Sequence, residues 1–438
     1  MNNREIAEQI FLAGIKGVLP GKVICDLISI KGSLLRIGYL SFDLDKISNI
    51  CIVGAGISSA AMGHYVENIL EDRINTGYIV TGYSHFCRLH KIEVAEAACP
   101  VPDRNSFMAA ERIRQIAVNA SENDLVICLW SGGGSALMAD YPAVSSPEDV
   151  SYMYGLLMKS GADIREINII LKHLSAIKGG YLAKHIWPAK SVSILLSDVP
   201  GDPPDLIASG PTLPDDSTFD DAIKILENKN LVSEAPIRLV NYLFEGRQGK
   251  WPEMPVTSDP VFGNSTFVMA GSNKTALQAS RNEAEQIGLT TFIVTPELSG
   301  DVSNACTFII DKISEYKNDD NIKKPVCLLF GGRTTIRLTA DGRGGRNQHL
   351  ALSAALQIKH IPGITLLAAD SDGNDGDTGM AGAVVDSETV NRALESGIDP
   401  ESFFYRFDSF SFFRAAGGHI YTDRTMTDVM DIIIAIID

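Results

Sequence analysis

Two arginines and four aspartates crowd a short part of the chain whose side chains could handle phosphate groups. Arg343 and Arg346 lie in the glycine-rich stretch GRGGRN (342–347), immediately before an apolar segment. The planar guanidinium fork of arginine matches phosphate and carboxylate oxygens, and glycine lets such groups approach the backbone. A loop further on carries four carboxylates: Asp370, Asp372, Asp375 and Asp377. This combination favours phosphoryl transfer, in which Arg343 and Arg346 would stabilise the transferred group or clamp a substrate carboxylate.

Carboxylates also follow an apolar run earlier in the chain, where a metal ion could bind. Asp198 and Asp202 flank a Pro-Gly turn in LLSDVPGD (195–202). Transferred phosphoryl charge needs neutralising, and carboxylates at strand ends commonly hold Mg²⁺. We therefore predict Asp198, Asp202 and Asp372 as metal ligands, and Asp198 also as the group that removes the acceptor proton. Each aspartate, taken alone, could equally cap the backbone amides of a turn.

A third candidate is the turn SGGGS (131–135), which directly follows the apolar run LVICLW (125–130). Three consecutive glycines permit positive φ angles and let another atom approach the main chain. A strand followed by a glycine-serine turn and a helix aims backbone N–H groups at an anion. The same spacing is also compatible with a tight strand-to-helix turn that binds nothing.

The stretch LKHLSAIKGG (171–180) adds three polar side chains that could bind a substrate. On a helix, Lys172 and Ser175 share a face, and Lys178 lies close to it. The alternative is a solvated helix face that ends at a glycine cap.

Short apolar runs rich in β-branched residues recur along the chain, each followed by a glycine turn and a stretch of helical length. Near-continuous apolar strands that alternate with helices predict a parallel sheet covered on both faces. Ligands of such sheets bind at the carboxyl ends of the strands, where these turns lie. A stretch with several prolines (246–263) interrupts the pattern, so we expect a domain boundary near residue 250.

The composition excludes several classes of protein. The 438 residues include 38 basic and 54 acidic side chains, and a net charge of −16 opposes binding to nucleic acid or to an anionic membrane. Seven scattered cysteines with no CxxC pair suit a reducing cytosol without disulfides or zinc. The first residues lack the layout of a signal peptide, and no run of eighteen apolar residues occurs. We therefore expect a cytoplasmic protein.

Together the motifs resemble those of the glycerate 2-kinases whose C-terminal part is the MOFRL domain. SGGGSAL, LSAIKGG, LLSDVPGD with IASGPT, GRGGRNQ and SDG…AGAVVD occur in this order, from about residue 5 to the C-terminus. The resemblance implies an α/β fold of two Rossmann-like domains with mainly parallel sheets and an interdomain cleft, which we assign to residues 1–250 and 251–438. It also implies ATP- and Mg²⁺-dependent phosphorylation of D-glycerate, or a related small hydroxy acid, at the 2-hydroxyl.

The resemblance favours binding of an anionic group of substrate or nucleotide by the SGGGS turn. The catalytic candidates are Arg343, Arg346 and Asp198. The candidates for binding substrate or nucleotide are Ser131, Gly132, Gly133, Gly134, Ser135, Lys172, Ser175, Lys178, Gly54, Gly56, Asn347 and Asp372. The expected partners are a small hydroxy acid and a nucleotide, and the oligomeric state is open between a monomer and a homodimer.

Four positions depart from the pattern of the family. The first glycine turn, usually GAGK with a lysine implicated in catalysis, ends here in Ile57, and GGE becomes a triplet ending in Arg333. The segment GPTGTNV becomes DRTMTDV (423–429), which carries Arg424, and Cys99 replaces a histidine. Three alternatives follow: an active kinase with a rebuilt site, a kinase for another hydroxy acid, or a catalytically impaired relative that only binds ligand. We hypothesise that Arg333 or Arg424 takes over the electrostatic role of the lost lysine.

A hydroxypyruvate reductase that uses NAD(P)H is the competing function, because related proteins carry that name. A dinucleotide fingerprint requires G-x-G-x-x-G and an acidic residue at the end of the second strand. Here Ser59 occupies the third glycine position, and the second strand runs to Ser84 without a carboxylate. The fingerprint is therefore incomplete.

Overall fold

The computed structural model of the protein describes residues 2–337, 340–376 and 378–438. Asp377, one of the four loop aspartates noted above, lies outside the described residues. Within these ranges, no helix is both long enough and apolar enough to cross a lipid bilayer.

The strands, in chain order, are β1 (Ile28–Lys31), β2 (Leu34–Ile37), β3 (Leu40–Asp43), β4 (Ile50–Ala55), β5 (Ile74–Gly82), β6 (Glu93–Ala97), β7 (Leu125–Trp130), β8 (Lys190–Leu196), β9 (Ser265–Gly271), β10 (Thr290–Asp301), β11 (Val326–Thr335), β12 (Ile364–Asp370), β13 (Gly382–Asp386), β14 (His419–Ile420) and β15 (Asp431–Ile437).

The α-helices are α1 (Asn3–Val18), α2 (Pro20–Leu27), α3 (Ser59–Leu70), α4 (Arg104–Val118), α5 (Gly134–Leu137), α6 (Pro147–Lys159), α7 (Ile164–His173), α8 (Tyr181–Ile186), α9 (Phe219–Asn228), α10 (Ile237–Arg247), α11 (Asn273–Ile287), α12 (Val302–Lys317), α13 (Arg346–Ile358), α14 (Thr389–Glu395), α15 (Pro400–Tyr405) and α16 (Ser409–Ala416). Short 3₁₀ helices span Leu44–Lys46, Glu71–Arg73, Pro204–Ser209 and Pro260–Gly263.

The chain folds into two compact units, neither of which is continuous in sequence. The first unit comprises Val23–Ser197 and Pro203–Ala270. The second comprises residues 2–22, Asp198–Asp202 and Gly271–Asp438. This division differs from the boundary expected near residue 250, because the stretch up to residue 270 completes the first unit and the N-terminal helix joins the second.

A six-stranded sheet forms the centre of the first unit, in the order β6-β5-β4-β7-β8-β9. Parallel pairing links β4 to both β5 and β7, β5 to β6, and β7 to β8. Every residue of β4 and β7 is buried, as expected for strands covered on both faces. The α/β class is thereby confirmed. A separate antiparallel sheet contains β1, β2 and β3.

The sheet of the second unit has the order β10-β11-β15-β12-β13-β14 and differs from the expectation of mainly parallel pairing. Only β10 and β11 run parallel among its described pairs. The last strand, β15, inserts antiparallel between β11 and β12, and β13 pairs antiparallel with both β12 and β14. All seven residues of β15 are buried. A continuous apolar run signals burial on both faces but carries no information on strand direction, so the sequence pattern could not reveal this insertion.

Helix α1 belongs to the second unit because its apolar face packs against α11. Ile10 and Phe11 are completely buried. Gly14 makes the approach close, since a Cβ atom there would lie 2.4 Å from the hydroxyl oxygen of Ser280. The hydroxyl of Ser280 also donates a hydrogen bond of 3.0 Å to the carbonyl of Ile10. These contacts explain why the N-terminal helix folds with residues far from it in sequence.

We predict that Gly14→Ala destabilises the protein by about 1–3 kcal/mol, because the added methyl group overpacks the contact between α1 and α11. The matched control is Gly155→Ala in α6, where a Cβ atom would meet nothing within 4 Å. That replacement should raise stability by about 0.5–1 kcal/mol, since alanine favours the helix. The midpoints of urea unfolding measure both changes. Equal midpoints for the two variants would contradict the packing of α1.

Candidate functional site

Aspartates from three parts of the chain gather in the second unit, where strands β11, β15 and β12 lie side by side. The register places Gly332 opposite Asp431, and Asp431 opposite Asp370. Two adjacent strands therefore present carboxylates at the same edge of the sheet. We call the following set the carboxylate cluster, because its members interact electrostatically: Asp198, Asp370, Asp372, Asp428 and Asp431, with Arg333 and Arg346.

Arg346, the first residue of α13, neutralises two members of the cluster. Its Nη2 atom lies 2.5 Å from the carboxylate of Asp370 and 2.6 Å from that of Asp431, and its Nε atom donates to Asp431 at 2.9 Å. Burial works against the charged guanidinium, yet Asp431 and Asp370 raise the pKa of Arg346. Only 15% of the side chain is exposed. Arg346, which the sequence predicted to be catalytic, thus binds carboxylates of the protein itself.

A carboxylate of the protein also occupies the N-terminus of α13, where the GRGGRN motif led us to expect a ligand. The carboxylate of Asp375 accepts hydrogen bonds from the backbone N–H groups of Asn347 (3.1 Å) and Gln348 (2.9 Å). The Asn347 side chain is buried and donates to Asp375 and Asp431. Burial raises the pKa of Asp375 to about 6 despite these hydrogen bonds. Asn347, predicted to bind ligand, instead ties two aspartates together.

The remaining carboxylates of the cluster are partly buried, and those of Asp198 and Asp372 both interact with Asp428. Burial and the nearby charge of Asp428 raise the pKa of Asp198 to about 7, while Arg333 acts in the opposite direction. Burial, Asp370 and Asp428 together raise the pKa of Asp372 to about 8. Such upward shifts reflect like charges held together at low dielectric, which is an arrangement that a cation would relieve.

The three predicted metal ligands are not all in the cluster. Asp198 and Asp372 belong to it, whereas the Asp202 carboxylate faces the ammonium group of Lys274 at 3.7 Å. No group of three or more His, Cys, Asp or Glu side chains is arranged to hold a metal ion in the part of the chain that the structure describes. Mg²⁺ commonly binds through only one or two carboxylates and completes its shell with water and phosphate oxygens. Asp198 and Asp372 carry hard oxygen donors of the kind that this ion uses.

Asp428 and Asp431 were missed by the motif analysis. Their signal in the sequence is their position, since both precede or open the apolar run of β15, as Asp198 follows the apolar run of β8. An aspartate beside a buried strand is common enough that this signal becomes specific only when the register shows which strands are neighbours.

The other three arginines that the sequence singled out are all exposed. Arg343 is exposed, with its guanidinium 4.3 Å from the ring centre of Phe410. Arg333 has 45% of its side chain exposed and lies 3.9 Å from the carboxylate of Asp428. Arg424 is exposed. Of these three, Arg333 is the one that belongs to the carboxylate cluster.

In the first unit, the glycine turns that follow β4 and β7 interlock. Gly56, with φ of +144°, lies so close to Ser131 that a Cβ atom would be 2.1 Å from the serine hydroxyl. That hydroxyl accepts a hydrogen bond of 3.1 Å from the N–H of Ser58, and the N–H of Ile57 donates to the carbonyl of Gly132 at 2.9 Å. The first glycine turn therefore supports the second.

The predicted anion-binding turn is held by partners on both sides. The carbonyl of Ser135 accepts from the Tyr154 hydroxyl at 2.7 Å, and its side chain accepts from the Ser209 hydroxyl at 2.7 Å. Gly133, in the middle, has a φ of +76°. A Cβ atom at Gly133 would lie 3.1 Å from Cys99 Sγ and 3.4 Å from Ile57 Cγ1. Two of the positions that depart from the family pattern thus flank the central glycine.

The predicted substrate-binding lysines are completely buried and bound to other groups of the first unit. Lys172 forms an ion pair with Asp215 and lies 3.5 Å from Asp205. Lys178 donates to the carbonyl of Met138 at 2.8 Å.

Asp140 joins the other two members of that motif. Its carboxylate accepts from the Ser175 hydroxyl and lies 3.6 Å from the ammonium group of Lys178. Burial, which Asp140 only partly offsets, lowers the pKa of Lys178. Lys172, Ser175 and Lys178 therefore stabilise the loops of the first unit from within, where the sequence predicted contact with substrate.

Comparison with known proteins gives consistent matches along the chain. Two family models match it: one described as a domain of unknown function (DUF4147), over residues 6–244, and the MOFRL family, over residues 326–431. The chain is 34% identical to a Pyrococcus horikoshii protein named glycerate 2-kinase, with 100% of this chain and 98% of that protein covered. It is 38% identical to an Agrobacterium vitis protein named putative hydroxypyruvate reductase, over 87% of this chain and 85% of that protein. A crystal structure of a glycerate kinase from Thermotoga maritima matches with a TM-score of 0.85 at 33% identity, over 99% of each chain.

We predict that Lys172→Met destabilises the protein by about 3–5 kcal/mol, because it leaves the buried carboxylate of Asp215 without a counter-charge. The matched control is Lys224→Met in α9, where the lysine forms an exposed ion pair with Asp220. Exposed pairs contribute little, so this variant should unfold at the urea concentration of the wild type. A Lys172→Met protein as stable as the control would show that the pair contributes nothing to the fold.

Proposed function

We infer that this chain, which belongs to the family of glycerate 2-kinases with a C-terminal MOFRL domain, transfers the terminal phosphoryl group of ATP to the 2-hydroxyl of D-glycerate or a related small hydroxy acid. The observation that carries this proposal is the carboxylate cluster of the second unit, which combines buried acids with an accessible arginine. Phosphoryl transfer needs this combination, because it requires a proton acceptor, a site for a divalent cation and positive charge beside the substrate.

In the proposed reaction, a carboxylate of the cluster removes the proton of the acceptor hydroxyl. We assign this step to Asp198, which is partly buried and follows β8 by two residues. The acceptor oxygen then forms a bond to the γ-phosphorus of ATP, while the bond from that phosphorus to the bridging oxygen of ADP breaks. The proton remains on Asp198 until solvent takes it, and ADP leaves with the electron pair of the broken bond.

We propose that Asp198 and Asp372 would hold Mg²⁺, since their oxygens are the hard donors that this ion prefers. When bound, the ion neutralises the charge of the phosphate groups during transfer. Each carboxylate has two oxygens, so Asp198 can share an ion and still accept a proton. Asp202, the third predicted ligand, is paired with Lys274 and would have to leave that contact to bind the ion.

Arg346 and Arg343, which the sequence predicted to act together, have different roles in this proposal. Arg346 keeps Asp370 and Asp431 in place, because both of its donor nitrogens in these contacts are bound to carboxylates. Arg343 is exposed and remains our candidate for contact with a phosphate oxygen.

In the first unit, we propose that the SGGGS turn binds an anionic group of the nucleotide. None of the seven cysteines forms a disulfide in the described part of the chain, which suits the cytosolic location that we propose.

The reductase alternative finds less support. Some relatives carry the name putative hydroxypyruvate reductase. However, Ser59 stands where the dinucleotide fingerprint requires its third glycine, and the Ser59 hydroxyl donates to the carbonyl of Leu129 at 2.9 Å. The Ser59 side chain therefore lies between α3 and β7, where the fingerprint requires a glycine for close packing of helix against strand.

We predict that the wild-type protein releases ADP from ATP only in the presence of a hydroxy acid and a divalent cation, and that excess EDTA abolishes this activity. Asp198→Asn should lower turnover by about 10²- to 10⁴-fold, because the amide cannot accept the proton. Asp311→Asn, at an exposed position of α12, serves as the matched control and should keep full turnover. The same preparations should not oxidise NADH with hydroxypyruvate. Full activity in EDTA, or in Asp198→Asn, would contradict the mechanism.

We also predict that Gly133→Val abolishes ATP binding measured by calorimetric titration, because the side chain would fill the centre of the turn. Gly161→Val is the matched control, since Gly161 has a similar φ of +73° but a Cβ atom there would meet nothing within 4 Å. Both variants carry the same backbone strain, so only the first should lose affinity. If both bind ATP as the wild type does, the turn is not part of the nucleotide site.

A further inference from the structure

We propose that Arg333 binds the carboxylate of the acceptor substrate and that Asp428 is the positioning residue that holds its guanidinium for this contact. The inference rests on the proposed phosphoryl transfer and names the group that selects a hydroxy acid over a neutral alcohol. Its basis is a comparison of the cations near the carboxylate cluster, the rigidity of the backbone that carries Arg333, and the spacing of groups in the substrate.

Arg333 differs from Arg346 and Lys274 in how its donors are used. The guanidinium of Arg346 donates hydrogen bonds to the two buried carboxylates of Asp370 and Asp431. Lys274 lies between Asp202 at 3.7 Å and Glu297 at 3.4 Å. Arg333 instead approaches Asp428 at 3.9 Å, beyond hydrogen-bonding distance.

No hydrogen bond links the Arg333 guanidinium to another side chain or carbonyl in the described part of the chain. Its five N–H donors are therefore available, and 45% of the side chain is exposed to solvent. A planar fork of this kind binds a carboxylate through two parallel hydrogen bonds.

The backbone before Arg333 is held where no side chain would fit. A Cβ atom at Gly332, whose φ is +138°, would lie 2.1 Å from the carbonyl oxygen of Leu298. A Cβ atom at Gly331 would lie 1.7 Å from Oδ1 of Asn273. These glycines let β11 pack tightly against its neighbours, and Arg333 pairs in register with Ser299 of β10. The direction in which Arg333 leaves the sheet is therefore set by the fold.

The same asparagine also fixes the segment that carries Asp428. The Asn273 Nδ2 group donates to the carbonyls of Val429 and Asp431, both at 2.9 Å. One oxygen of Asp428 accepts from the N–H of Met430 at 3.1 Å, and the other faces Arg333. Arg333 and Asp428 thus extend from two segments that Asn273 holds together, which explains how Asp428 can orient the arginine without saturating it.

The spacing of groups in a 2-hydroxy acid matches this arrangement. The carboxylate carbon is bonded directly to the carbon that bears the reacting hydroxyl. A residue that binds the carboxylate must therefore lie near the residue that removes the hydroxyl proton. Arg333 and Asp198 satisfy this condition, because each interacts electrostatically with the other and with Asp428. An arginine at this place would bind a carboxylate and leave a neutral alcohol without a partner.

The first test replaces the charge and keeps the approximate size. Arg333→Gln should raise the KM for glycerate by about 10- to 150-fold, the range for loss of charge-assisted hydrogen bonds, with little change in the KM for ATP. Its preference for glycerate over glycerol, which has the same carbon skeleton without the carboxylate, should fall by a similar factor. Arg333→Lys should restore part of the affinity. The control is Arg281→Gln, because Arg281 is equally exposed and pairs with Glu285 on α11.

The second test asks whether Asp428 acts through Arg333. Asp428→Asn should raise the KM for glycerate by less than Arg333→Gln does, since the arginine remains but is less well oriented. The double variant should then be no worse in KM than Arg333→Gln alone. Fully additive effects on the KM would show that Asp428 acts independently, and would overturn its positioning role.

Calorimetric titration of glycerate without nucleotide separates this inference from the proposed function. Binding that is lost in Arg333→Gln supports the inference even if the wild type transfers no phosphoryl group, in which case only the proposed function fails. An unchanged glycerate affinity and KM in Arg333→Gln overturn the inference while leaving the kinase activity in place. A wild-type protein that neither binds nor phosphorylates any hydroxy acid overturns both.

Discussion

The ion pairs of Arg346 with Asp370 and Asp431 are the constraint on which the second unit depends. The register of β12 and β15 places these two aspartates opposite each other at the buried edge of the sheet. Two unpaired carboxylates so close together would be costly at low dielectric. Arg346 offsets that repulsion, so β12 can end and β15 can begin at an acid. The acids beyond its reach then become the reactive part of the cluster.

Both units contain charged side chains that other groups of the protein neutralise. In the first unit, Lys172 and Lys178 are buried against carboxylates and carbonyls, and they stabilise the loops in which they lie. In the second unit, Arg346 and Asn347 do the same for the loop aspartates. What remains most exposed in the cluster is Arg333, beside the partly buried carboxylates of Asp198 and Asp428. The proposed chemistry resides in charges that the fold has left incompletely paired.

The structure also shows which groups surround the residues that depart from the family pattern. Ile57 and Cys99 both lie next to Gly133, so the turn that we propose for anion binding has apolar and thiol neighbours where the family pattern has a lysine and a histidine. Arg333 faces Asp428, and each of these two charges compensates for the other. Arg333 thus supplies a positive charge beside the acids of the second unit.

The sequence by itself determined the α/β class, the placement of strands before glycine turns, and the family, because apolar periodicity and ordered motifs are local properties of the chain. It also located Asp198, Asp372 and Arg346 as residues worth attention. Only the tertiary structure decided which charges meet. The antiparallel insertion of β15 brings Asp428 and Asp431 to the loop aspartates, and a continuous apolar run cannot encode that direction. The burial of Lys172 and Lys178 was equally hidden, since whether a lysine reaches solvent depends on partners distant in sequence.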